Sequence, residues 1–132
     1  MILVDANVWI DLIRQDPVWL DWSLGQVQRA RAARQAVINP VIYAELAPTY
    51  DSADALATFI EHSGARFAPL SPTSAYLAGQ AFLRYRRQRS GKTGVLPDFF
   101  IGAQAQAEGW TLLTRDAGRY KTYFPSVQLI CP

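Results

Sequence analysis

The sequence predicts an α/β fold: a three-layer sandwich with a mainly parallel central sheet of four or five strands flanked by helices. Short, almost uninterrupted apolar runs recur along the chain and read as strands buried on both faces. Longer segments with apolar residues at every third or fourth position lie between them and read as helices. Strands that alternate with helices return to one sheet through crossovers, which makes neighbouring strands parallel.

The first strand is ILV at 2–4, and Asn7 to Ile13 forms the first helix. A second helix is expected near Pro17, since proline is tolerated in a first turn. AVI at 36–38 is the next strand, and Pro40 opens a third helix carrying VIYAEL. DSADALATFIEH makes a fourth helix, with Ala55, Phe59 and His62 on one stripe, and the run RFAPL at 66–70 follows as a strand. SPTSAYLAGQAFLRYRRQR gives a long helix in which Ala78, Ala81 or Phe82, and Tyr85 recur at three or four. Pro97 begins DFFIGAQAQAEG, with Gly109 as its stop. TLLT at 111–114 and VQLI at 127–130 complete the strands.

At 132 residues, half of them apolar, the chain reads as one domain over 1–132 with a core that needs neither disulfide nor structural metal. The single cysteine, Cys131, has no partner for an internal disulfide, which favours a reducing, cytoplasmic setting. The first apolar run lacks a basic leader, and no run approaches the ~20 residues of a membrane span. Net charge is only +2, but 11 of the 13 basic residues are arginine. Four of these fall in RYRRQRSGK at 84–92. Arginine suits planar contacts with phosphate or carboxylate, so a nucleic acid and an acidic protein partner both stay open.

The acids are placed tellingly. Ligands of open parallel sheets bind beyond the carboxyl ends of the strands. Asp5 directly follows the first strand, and Asp116 lies two residues past TLLT. Asp98 sits in the first turn of its helix, and Glu45 lies about a turn and a half past Pro40 among Ile42, Tyr43, Ala44, Leu46 and Ala47. Singly, each has a structural explanation. Asp5 can cap a helix, Asp98 can answer a helix dipole, Glu45 can face solvent, and Asp116 can serve a turn. Jointly, four carboxylates at one rim would repel one another unless a cation joined them. Oxygen ligands without a histidine or cysteine cluster point to Mg²⁺ or Mn²⁺ over zinc, and to metal-assisted phosphodiester hydrolysis.

Four segments carry a resemblance: VDANVWIDL at 4–12, NPVIYAELA at 39–47, LPDFFIGAQA at 96–105 and LLTRDAGRYKTYFPSVQLI at 112–130. In order and rough spacing they resemble the PIN-domain ribonucleases, in particular the VapC-type toxins of bacterial toxin–antitoxin pairs. The resemblance implies an endoribonuclease whose Asp5, Glu45, Asp98 and Asp116 hold Mg²⁺ or Mn²⁺. It implies in-line attack of a metal-bound water on RNA, leaving a 5′-phosphate and a 3′-hydroxyl. Asn7 and Thr114 match positions of supporting small polar residues. Arg115 can pair with a site carboxylate or a phosphate, or remain a surface arginine in a turn. The resemblance also implies a homodimer and a cognate antitoxin, received in related toxins by the early helices, where Trp9, Trp19 and Trp22 cluster.

Arg84, Arg86, Arg87, Arg89 and Lys92 either line an approach for RNA phosphates or form a solvated helix end. Tyr120, Tyr123 and Phe124 are read as packing residues, with stacking on RNA bases as the alternative, and His62 as structural or surface. Competing functions are a PIN-type nuclease of RNA maturation, a haloacid-dehalogenase-like phosphohydrolase and a non-catalytic RNA-binding domain. The second calls for another acid at the position of Asn7 and a lysine after a later strand, and neither is present.

Overall fold

The computed structural model describes residues 1–88 and 95–132. Its strands β1 (Ile2–Val4), β2 (Ala36–Ile38), β3 (Arg66–Phe67), β4 (Thr111–Leu113) and β5 (Leu129–Ile130) form one sheet in the order β3-β2-β1-β4-β5. Every pairing is parallel, as the alternation predicts, with Leu3 opposite Val37 on one side and Leu112 on the other. The chain builds outward from β1 to β3, then returns to add β4 and β5 on the other flank. That reversal makes the carboxyl end of β1 and β4 the natural place for a ligand.

The helices are α1 (Ala6–Ile13), α2 (Leu20–Ala32), α3 (Pro40–Leu46), α4 (Ala53–Ser63), α5 (Pro72–Gln88), α6 (Leu96–Glu108) and α7 (Gly118–Tyr123). The middle strands bury consecutive residues, Leu3 and Val4, Val37 and Ile38, Leu112 and Leu113, so both faces of the sheet are covered. Among the described residues no helix is long and apolar enough to cross a membrane.

Several expectations shift for identifiable reasons. The second helix starts at Leu20, not near Pro17: Asp16 Oδ1 accepts from the backbone N–H of Val18 (2.8 Å) and Trp19 (2.9 Å) and holds residues 17–19 in a turn ahead of it. The third strand stops at Phe67: Ala68 still donates to the Ile38 carbonyl at 2.8 Å, but the Pro69 carbonyl is taken by the Gln104 side chain of α6 (3.0 Å). On α4 the buried stripe is Leu56 and Ile60, one residue on from the expected one, and His62 is exposed. Along α5 the buried line is Ser74, Ala78, Ala81 and Tyr85, close to the expected spacing, and it packs along α6. The short helix α7 has no counterpart among the expected elements.

Gly102 marks where α6 meets the segment after α7. A Cβ there would lie 2.3 Å from Cδ2 of the buried Phe124. Gly102→Ala should therefore destabilise the fold by about 1–3 kcal/mol through overpacking. Gly79→Ala, which meets nothing within 4 Å on exposed α5, should stabilise it by about 0.5–1 kcal/mol. Urea denaturation of the two variants should show opposite signs.

Candidate active site

The structure brings the four predicted acids to the carboxyl end of the sheet. Asp5, Glu45, Asp98 and Asp116 line one cleft of about 360 Å³ together with Ala6, Asn7, Ile10 and Tyr120. Four different elements supply them, and each is fixed locally. The backbone N–H of Asp5 donates to the Leu113 carbonyl (2.9 Å), which pins the end of β1 to β4. Asp116 follows β4 in a turn whose Thr114 N–H donates to Ile130 (3.0 Å).

Glu45 and Asp98 are related through a buried amide network. Asn39 caps α3 by accepting from the Ile42 N–H (2.8 Å), and its Nδ2 donates to Gln104 Oε1 on α6 (2.9 Å). Gln104 in turn donates to the Pro69 carbonyl (3.0 Å), and both amide residues are fully buried. A mispaired amide here would strand buried donors, so α3 and α6 are held in one relative placement. Glu45 and Asp98 ride on those two helices.

Asp5 is both a cap and a member of the cluster. Its Oδ1 accepts from the Ala6 N–H at 2.7 Å, while Oδ2 accepts from Thr114 Oγ1 (2.8 Å), Asn7 Nδ2 (3.2 Å) and the Tyr120 hydroxyl (3.2 Å). Asn7 also donates to Thr114 Oγ1 (3.2 Å) and accepts from the Arg115 N–H (3.1 Å), and Thr114 Oγ1 accepts from the Asp116 N–H (3.1 Å). Asn7 and Thr114 thus tie the loop after β4 to the start of α1.

Electrostatics follow from this crowding. Burial pushes the Asp5 carboxyl up to about 6 against the pull of its hydrogen bonds, with Asp98 adding repulsion. Burial, then the charges of Asp5 and Asp98, pushes Glu45 up to about 7. Asp98 is also raised, mainly by burial, with Arg119 opposing. Among the described residues Glu45 Oε2 is buried without a hydrogen-bond partner. A divalent cation would relieve that orphaned oxygen and the mutual repulsion together, so the donor set fits Mg²⁺ or Mn²⁺. Among the described residues, no group of three acidic, histidine or cysteine side chains is arranged to hold a metal as it stands. Asp98 is turned instead to Arg119, with which it forms an ion pair.

Arg119 and Asp11 are not among the residues singled out from sequence, whereas Tyr120, Tyr123 and Phe124 pack as expected. Tyr120 is buried, and its hydroxyl donates to Asp5 at the cleft it helps to line. Tyr123 and Phe124 pack against Phe99 of α6. Arg119 pairs with Asp98. Asp11, only 1% exposed, takes a two-pronged contact from Arg115 (Nε 2.7 Å, Nη2 2.9 Å) and a hydrogen bond from Ser23 (2.5 Å). Arg115 therefore pairs with none of the four acids and is no free turn residue; its guanidinium also lies 5.2 Å from the Trp19 ring centre. Helical spacing could have found Asp11, which falls one turn after Asn7 on the face that meets the loop after β4. Arg84, Arg86 and Arg87 are exposed on α5 and do not line the cleft, while Arg89 and Lys92 lie outside the described residues.

Comparison with known proteins agrees with this construction. No curated protein gives a significant sequence match. In fold, the chain is similar to VapBC2 from Rickettsia felis, solved bound to a DNA fragment from their promoter (19% identity, TM-score 0.74, 100% of this chain and 99% of that one). It is also similar to DNA-bound VapBC from Salmonella typhimurium (16%, 0.72, 98% and 96%) and to a toxin–antitoxin complex from Klebsiella pneumoniae (22%, 0.64, 96% and 95%). The PIN domain model matches residues 2–125, from the strand that precedes Asp5 to the turn that follows Phe124. By that match, spanning nearly the whole sequence and all four acids, the chain belongs to the PIN-domain family of nucleases.

Proposed function

We propose that this protein is a toxin of a toxin–antitoxin pair, an endoribonuclease that hydrolyses RNA phosphodiester bonds with Mg²⁺ or Mn²⁺. The observation that carries the reading is the convergence of Asp5, Glu45, Asp98 and Asp116 on one cleft at the carboxyl end of β1 and β4. A bound cation supplies an activated water and neutralises charge on the phosphoryl oxygen. Asp5, gripped by four hydrogen bonds, offers a carboxylate that does not reorient. Asp116 is exposed and free to orient the attacking water. Tyr120, Asn7 and Thr114 hold the Asp5 carboxylate in place. Arg84, Arg86, Arg87, Arg89 and Lys92 supply the positive charge that RNA phosphates approach, which makes binding weaken with salt.

The partner is a cognate antitoxin, a reading supported by the Klebsiella pneumoniae complex that shares the fold. A homodimer in the cytoplasm accompanies it. Induced expression in bacteria should arrest growth, and Asp98→Asn should relieve the arrest. Growth unaffected by a protein that cleaves RNA after purification would move the reading to RNA maturation.

A further inference from the structure

Among the described residues two ion pairs form, and they differ in kind. Arg115 grips buried Asp11 with two nitrogens, and Ser23 completes the acid's contacts. Arg119 reaches Asp98 through one nitrogen, and both side chains are 29% exposed. The first pair is locked into the interior, while the second is open to exchange. Among the described residues Arg119 is also the only cation bonded to any of the four clustered acids. Its guanidinium carbon lies 5.9 Å from the Tyr85 ring centre, so an aromatic face lies within reach of the charge when Asp98 is taken. The next residue, Tyr120, donates to Asp5. Consecutive residues of α7 thus supply one donor to each of two acids.

We propose that Arg119 is the resident counter-ion of Asp98, a positioning residue that competes with the divalent cation for that carboxylate. The proposal rests on the metal-dependent reading of the cleft. Without metal, the guanidinium offsets part of the repulsion among Asp5, Glu45, Asp98 and Asp116 and turns Asp98 away from a shared ligand position. Metal entry requires the pair to open. Arg119 therefore raises the cation concentration the site needs, and this chain is a weaker metal binder than its four carboxylates alone would make it.

The test is Mn²⁺ binding to the purified full chain, followed by the electron paramagnetic resonance of free Mn²⁺, with no RNA present. Arg119→Gln should bind Mn²⁺ about three- to five-fold more tightly than the parent, the factor a partly exposed ion pair represents. Arg119→Met, which keeps an unbranched stem near Tyr85, should behave alike and decides the matter if the glutamine variant does not fold. Asp98→Asn should weaken binding at least about ten-fold. Unchanged or weaker Mn²⁺ binding in the folded Arg119 variants, with Asp98→Asn impaired, overturns the counter-ion role alone. Absence of Mn²⁺ binding in the parent overturns both this role and the metal-dependent reading.

Discussion

Asp5→Asn should lower metal-dependent RNA cleavage by about three orders of magnitude while leaving the fold as stable as before, or more so. The two effects separate because Asp5 has two jobs. As a cap it needs one oxygen, for the Ala6 N–H, and asparagine caps about as well as aspartate. The amide nitrogen would face the Tyr120 hydroxyl, which can rotate to accept it, and Thr114 Oγ1, which can accept it only by giving up its contact from Asn7. What asparagine cannot supply is the negative charge.

The stability gain has a definite pH dependence. Asp5 titrates at about 6 in the folded chain, above its ordinary 3.8, and Glu45 at about 7, above 4.5. Between the ordinary and the raised values the folded chain binds more protons than the unfolded one, so stability falls as pH rises. The contribution is complete below about pH 4 and is lost through pH 6 to 7. Asp5→Asn should therefore match the parent near pH 4 and exceed it near pH 7, by about 3 kcal/mol at most. Urea denaturation in EDTA at the two pH values checks the sign, and a loss of stability at pH 7 would show that Asp5 acts chiefly as a structural residue. Cleavage should rise over the same interval, since ligating carboxylates must be ionised.

Arg115→Ala should destabilise the fold by about 3–5 kcal/mol, the largest effect expected from any single charge removal here. Asp11 is 1% exposed and would keep only Ser23. The loss is that of an uncompensated buried carboxylate, not of a surface ion pair. Pairing Arg115→Met with Asp11→Leu should recover most of it, because an apolar pair of similar volume needs no counter-charge. Thermal unfolding of both singles and the double separates these terms. Cleavage per folded molecule should change far less, since Asn7 is met by the Arg115 backbone N–H, which alanine retains. A double variant no more stable than Arg115→Ala would mean that the ion pair holds up little.

The two expectations rest on parts of the chain that differ in how legible they were. Strand placement was readable because consecutive apolar residues such as Leu3–Val4 and Leu112–Leu113 admit few alternatives to a two-sided burial. From strand ends, Asp5 and Asp116 follow at once. Helix starts were less readable where a side chain redirects the backbone, as Asp16 does at Pro17 to Trp19. Helix α7 opens on a glycine and buries only Tyr120, so its apolar spacing is too thin to announce it.

Partners across the fold were the least legible. Nothing local links Asp98 to Arg119 or Asp11 to Arg115, which meet only once β1 and β4 lie side by side. Asn39 and Gln104 read separately as an ordinary cap and an ordinary helix residue. Their hydrogen bond shows instead how α3 and α6 hold Glu45 and Asp98 at one cleft.

The central claim is that four carboxylates on separate elements act as one metal-dependent RNA hydrolase. The most direct measurement is the initial rate of RNA cleavage by the purified protein in Mn²⁺, in EDTA, and after Mn²⁺ is restored, with Asp116→Asn alongside. The expected result is cleavage leaving 5′-phosphate ends in Mn²⁺, none in EDTA, recovery on restoration, and a variant that stays folded but inactive. Cleavage that persists in EDTA, or that Asp116→Asn leaves intact, would contradict the account.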